Sequence, residues 1–129
     1  MPRRRSSTPT EGELEILSVL WEYGPSTVRQ IHNNLKHGRA TGYSTTLRMV
    51  QIMTDKGLLV RDDAVRPQVY TPAQSQEKTQ LQLVDHLVQR GFGGSAMSLV
   101  LRAVSAQRIT RDELAQIKKL LERAKGERG

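Results

Sequence analysis

The chain has 129 residues, and its 20 lysines and arginines against 13 aspartates and glutamates leave a formal net charge of +7. It has no cysteine, which excludes a disulfide framework, a thiol nucleophile and a Cys-held iron–sulfur or zinc site. No apolar run approaches the ~18–20 residues of a membrane span, and the basic N-terminus has no apolar stretch behind it. The expectation is therefore a cytoplasmic protein without direct membrane insertion, whose surface suits a polyanion.

Residues 1–8 read as a disordered basic tail, in which Arg3, Arg4 and Arg5 either touch DNA backbone or stay loose. Thr10-Glu11-Gly12-Glu13 has the form of a capping box and opens a first helix. Leu14, Leu17 and Trp21, with Ile16, Leu20 and Tyr23, give that helix a wide apolar stripe, and Gly24-Pro25 stops it. Ser26 is the expected cap of a second helix over 27–36, with Val28, Ile31 and Leu35 inside. A loop over 37–42 leads to a third helix from residue 43 to 55 or 56. Its inner face is Leu47, Val50 and Met53 beside Thr46 and Thr54; Lys56-Gly57 is its stop signal.

The period then changes. Residues 58–61 and 68–71 read as two short strands around the turn 62–67, and Pro72 ends the second. Three helices followed by a β-hairpin is the order of a winged helix-turn-helix. Helical patterns return over 75–90 and 95–107, and Thr110-Arg111-Asp112-Glu113 opens a last helix by a second capping box. The fold class is mostly α with a small β-hairpin wing. It comprises the tail (1–8), a winged-helix DNA-binding domain (9–73) and a C-terminal helical dimerisation domain (74–129).

The last region is too small for its helices to bury their apolar faces among themselves. They either fold back onto the first domain or meet a second copy of the chain, and the second copy is the more economical solution. Leu81, Val84, Val88, Val100, Leu101, Leu114, Ile117 and Leu121 are the candidate dimer residues; the last three form a short coiled-coil-like seam.

Charge placement is informative. From Tyr23 to Thr54 there is no Asp or Glu, although acidic residues flank the stretch on both sides. A surface that docks on a line of phosphates must avoid carboxylates as much as it needs cations. Ser44, Thr45 and Arg48 lie on the outer face of the third helix near its start, where short side chains permit close approach. There Arg can bridge guanine and a Thr methyl can meet thymine. Tyr43 can touch a phosphate or a base edge. Arg29, Lys36 and Arg39 are candidate phosphate contacts, and Arg66 sits at the wing tip beside Asp62 and Asp63. His32, His37 and His86 have no metal-ligand spacing, and no Ser–His–Asp set can be proposed. No catalytic residue, metal or cofactor is expected, and the chain does not read as an enzyme. A winged-helix protein-interaction module without sequence-specific DNA binding is the alternative.

Four segments together resemble the penicillinase and methicillin-resistance repressor family. They are Thr10-Glu11-Gly12-Glu13-Leu14-Glu15-Ile16-Leu17 with Leu20-Trp21, Tyr43-Ser44-Thr45-Thr46-Leu47, Lys56-Gly57-Leu58-Leu59, and Val69-Tyr70-Thr71-Pro72. The resemblance runs over about 8–125. It implies a homodimeric repressor on a dyad-symmetric, inverted-repeat operator of double-stranded DNA, with its recognition helix beginning at Tyr43. It also implies release by proteolysis linked to a membrane metallopeptidase sensor. Two departures stand out: Ile52 where some members carry Arg, and Arg102-Ala103 where cleaved members carry Asn-Phe. The absence of Cys excludes the metal motif of the copper-responsive branch.

Overall fold

A computed structural model of the chain describes residues 8–36 and 41–128, with helix α1 (Glu11–Tyr23), α2 (Val28–Asn34) and α3 (Tyr43–Asp55) followed by strands β1 (Leu59–Asp62) and β2 (Val69–Pro72). Helices α4 (Gln76–Gly91), α5 (Ala96–Ser105) and α6 (Arg111–Arg128) complete the chain. The basic tail expected over 1–8 lies outside the described residues except for Thr8. The molecule is mostly helical with one two-stranded antiparallel hairpin, a winged helix followed by C-terminal helices. It divides into two compact units at residues 84/85, inside α4. Among the described residues no helix is long and apolar enough to cross a membrane.

The first helix begins as its sequence demands. Glu13 N–H donates to Thr10 Oγ1 (3.2 Å), and Thr10 N–H donates to Glu13 Oε1 (2.9 Å), closing the capping box. Its apolar stripe is buried at Ile16, Leu17, Val19 and Leu20, and Gly24 takes φ 84° to end it. Tyr23, expected on that stripe, is 56% exposed. Periodicity fixes the direction in which a side chain leaves a helix but not whether packing partners reach that far along the axis, and Tyr23 is the last helical residue.

The expected cap of α2 shifts by one residue. Ser26 is committed to a backbone bridge with Tyr70 (3.2 and 2.8 Å), and its hydroxyl donates to Gly24 O. Thr27 therefore caps α2, in a reciprocal box with Gln30. The helix is also shorter than the expected 27–36, because Leu35 adopts extended backbone.

Helix α3 buries Thr46, Val50 and Met53 of the expected inner face, while Leu47 and Thr54 are half-buried. It ends in a Schellman arrangement: Gly57 N–H donates to Thr54 O and Leu58 N–H to Met53 O, with Gly57 at φ 85°. This explains why β1 starts one residue later than expected; β2 also starts one residue later, at Val69. Leu58 spends its N–H on the helix end, so pairing begins with Leu59 opposite Pro72 and runs to Asp62 opposite Val69. Pro72 is thus the last residue of β2 rather than the one after it. The core of this unit is Ile16, Leu17, Val19, Leu20, Val28, Ile31, Val50, Met53, Leu59 and Tyr70.

In the second part of the chain, Ser95 caps α5 through Ser98 N–H, and Thr110 and Glu113 form the second capping box at α6. Helix α5 ends in the same Schellman pattern as α3. Gln107 N–H reaches Val104 O and Arg108 N–H reaches Ala103 O, but here Gln107, at φ 58°, holds the left-handed position.

One carboxylate joins the two ends of the winged-helix core. Glu13, 4% exposed, accepts at Oε2 from Lys56 Nζ (2.6 Å), tying the start of α1 to the end of α3. Burial raises the carboxyl pKa, but the Lys56 hydrogen bond and charge and the Thr10 N–H outweigh it, so the group titrates below its ordinary 4.5.

Glu13→Ala should destabilise the fold by about 1–3 kcal/mol, by loss of the cap and of a charge-assisted hydrogen bond. Because the folded pKa is the lower one, the ionised form's contribution is complete well above pH 4.5 and disappears as pH falls through the folded value. Urea titrations should therefore show the gap between wild type and Glu13→Gln narrowing on acidification. Gln107→Gly should raise the urea midpoint by the equivalent of about 0.5–1 kcal/mol, by relieving a left-handed residue with a Cβ.

Candidate nucleic-acid interface

The helix pair α2–α3 carries the carboxylate-free stretch. On α3, Ser44, Thr45 and Arg48 are exposed, as the spacing from the buried Thr46, Val50 and Met53 requires. Gly12 of α1 faces this helix: a Cβ there would stand 2.8 Å from Met49 Cε, the flexible tip of that side chain. Thr45 also lines a cleft of about 140 Å³ beside Gly12, Ile16 and Met49.

The first turn of α3 meets α2 through a polar and aromatic cluster. The Arg29 guanidinium carbon lies 4.0 Å from the centroid of the Tyr43 ring. The His32 ring meets the same Tyr43 edge-on, with centroids 5.7 Å apart and planes at 83°. His32 Nδ1 is 2.8 Å from the hydroxyl of the buried Thr46. Residues one turn apart on α2 (Arg29, His32) thus face residues one turn apart on α3 (Tyr43, Thr46). Two predicted contact residues, Arg29 and Tyr43, are brought together; Tyr43 is half-buried beneath the guanidinium rather than free-standing.

Spacing places Thr46 on the inner face of α3 but does not reveal its contact with His32. Neither residue is unusual alone, and they are 14 positions apart. Only the matching one-turn spacings on two adjacent helices hint at the pair.

Lys36 is exposed just past α2, whereas Arg39 lies outside the described residues. Arg66 is exposed in the wing turn. Its acidic neighbours are internally engaged: Asp63 accepts from Arg61 Nε (2.7 Å) and Gln68 Nε2 (2.9 Å), and Asp62 accepts from Ala64 N–H (2.9 Å). Asp63 in turn raises the pKa of the Arg61 guanidinium.

In the C-terminal helices the predicted apolar residues are mostly open. Leu81, Val84, Val100, Leu101, Leu114 and Leu121 are exposed and Ile117 is half-buried, while Val88 is covered by its own chain at 7% exposure. No residue of α5 is buried, although Met97, Val100, Leu101 and Val104 are all apolar.

Comparison with known proteins agrees with this architecture. A family model described as penicillinase repressor matches residues 9–123. The chain is also 31% identical over 116 residues to a protein named transcriptional regulator BlaI from Mycobacterium tuberculosis, in strain CDC 1551 / Oshkosh and in strain ATCC 25618 / H37Rv alike. The match covers 85% of this chain and 81% of that protein.

Proposed function

The chain belongs to the penicillinase repressor family, a family of DNA-binding transcriptional repressors, and we propose that it works as a homodimer on an inverted-repeat operator of double-stranded DNA. The observation that carries this reading is the carboxylate-free α2–α3 surface with Ser44, Thr45 and Arg48 on its exposed face. Arg48 has the length and planar donor fork to bridge one base, while Ser44 and Thr45 are short enough to let the helix sink into the major groove. Arg29, Lys36, Arg39 and Tyr43 serve register through phosphates, as does Arg66 from the wing. The protein acts where the DNA is, in the cytoplasm.

Dimerisation is supported by the open apolar side chains of α4, α5 and α6. An amphipathic helix with no buried residue, such as α5, gains nothing from its apolar face until something covers it. A second copy supplies an identical surface, and two-fold pairing matches the symmetry of an inverted repeat. Leu81, Val84, Val100, Leu101, Leu114, Ile117 and Leu121 form the contact, with Val88 packed beneath it. Release belongs to the same reading. For release through a membrane metallopeptidase sensor, the position at which cleaved members of the family carry Asn-Phe holds Arg102-Ala103 here, a departure that counts against cleavage of this chain. That pair lies within α5, which must open locally before a protease can bind it.

A salt series of binding titrations tests the DNA reading. A duplex selected by the protein from a random pool should be two-fold symmetric and should show a steep fall in affinity with salt. A protein-interaction module would show neither. Arg48→Ala should relax discrimination at one base pair per half-site by about 1–3 kcal/mol; equal loss on all sequences would confine Arg48 to the backbone. Ile117→Asp combined with Leu121→Asp should convert the sedimenting species to a monomer, since each carboxylate would be buried without a partner.

A further inference from the structure

We propose that His32 is a positioning residue for DNA binding: by holding Thr46 and the edge of Tyr43 it sets the platform from which Arg29 reaches a phosphate. This rests on the reading of α2–α3 as the DNA surface.

Three observations carry it. The first is that α3 has no side-chain cap. Its N-cap is Gly42, whose φ of 81° provides a turn but no hydrogen-bonding group. The orientation of the first turn therefore depends on tertiary contacts, and those from α2 are Arg29 and His32.

The second is the way Arg29 is held. Its guanidinium lies over a ring face, and among the described residues no carboxylate is bridged to it. A stacked guanidinium keeps its N–H groups in its own plane, free for a two-pronged contact with phosphate oxygens, whereas an ion pair would consume them. The ring thus restricts the side chain without competing for its donors.

The third is that the ring itself is restrained by a second side chain. His32 packs edge-on against Tyr43, and its Nδ1 is in turn fixed by the hydroxyl of Thr46, which is 2% exposed. A buried hydroxyl at 2.8 Å leaves the imidazole little freedom. The chain of contacts Thr46–His32–Tyr43–Arg29 therefore runs from the core to the proposed phosphate-binding group.

The test uses the full-length protein and the duplex it selects from a random pool. Arg29→Ala should lower the slope of log affinity against log salt by about one phosphate per subunit and weaken binding roughly fivefold at physiological salt. His32→Phe keeps the ring and loses the bond to Thr46, and Thr46→Val removes the same bond by an isosteric change. Each should reproduce the slope change of Arg29→Ala and add little to it in the double variant. His32→Asn sets a polar atom where Nδ1 stood but loses the ring that meets Tyr43, and it should show the same slope change. A purely structural role would shift the urea midpoint and leave the salt slope unchanged. The proposal is overturned if His32→Phe and Thr46→Val both weaken binding at an unaltered slope, or if their effects add fully to that of Arg29→Ala. If the wild type selects no duplex and has no salt slope, the DNA reading itself fails, a result that the variants cannot imitate.

Discussion

The winged-helix unit depends on one buried carboxylate. Glu13 satisfies the free N–H at the start of α1 with one oxygen and the ammonium of Lys56 with the other. A charge taken out of water in this way is costly unless every lone pair is used, and here the two oxygens are divided between two elements. The consequence is geometric. Lys56 is the residue on which α3 terminates, so the first turn of α1 is pinned to the last turn of α3. Between those ends the contact is apolar, through Ile16, Leu17 and Leu20 on one side and Val50 and Met53 on the other. At the opposite end of α3 the restraint passes to α2, through His32 and Arg29. The helix is thus held at both termini by polar contacts and along its middle by burial, leaving its outer face unencumbered.

Much of this was legible in the residues. The capping boxes at Thr10 and Thr110, the glycine stops at Gly24 and Gly57, and the 46–50–53 spacing are local signals, each fixed by chemistry within one or two helical turns. The change to strand periodicity after Gly57 was equally clear. Two of the errors share an origin, competition for the same backbone atoms by another partner. Ser26 could have capped α2, but its backbone pairs with Tyr70. Leu58 could have begun a strand, but its N–H closes the end of α3. A linear pattern reveals what a residue is able to do and is silent on which of two claims prevails.

The site shows the same division. The outward placement of Ser44, Thr45 and Arg48 follows from the inner face of the same helix, so it could be read in advance. The stacking of Arg29 on Tyr43, and the support given by His32 and Thr46, depends on how α2 crosses α3, which no single-helix pattern encodes. The exposed side chains of α4, α5 and α6 were anticipated from the small size of that region, because area alone dictates that so few helices cannot cover one another. Val88 is the exception, an apolar residue on the same helix as Leu81 and Val84 that finds cover within its own chain.

The hairpin is tied to the helical part through Leu58 N–H, which bonds Met53 O on α3, and through Ser26, between α1 and α2, which exchanges both hydrogen bonds with Tyr70; Ala73 N–H to Leu58 O extends the hairpin's own ladder. No slack residue separates α3 from β1, since Gly57 and Leu58 are both consumed by the helix end. If α3 reads DNA as proposed, it and the wing meet the groove as one coupled piece. Part of any mismatch in shape would then fall on the duplex, whose bending and twisting energies vary with base sequence. Discrimination can then extend to base pairs that no side chain touches, with the stiffness of the protein acting as the gauge against which the pliancy of the DNA is measured.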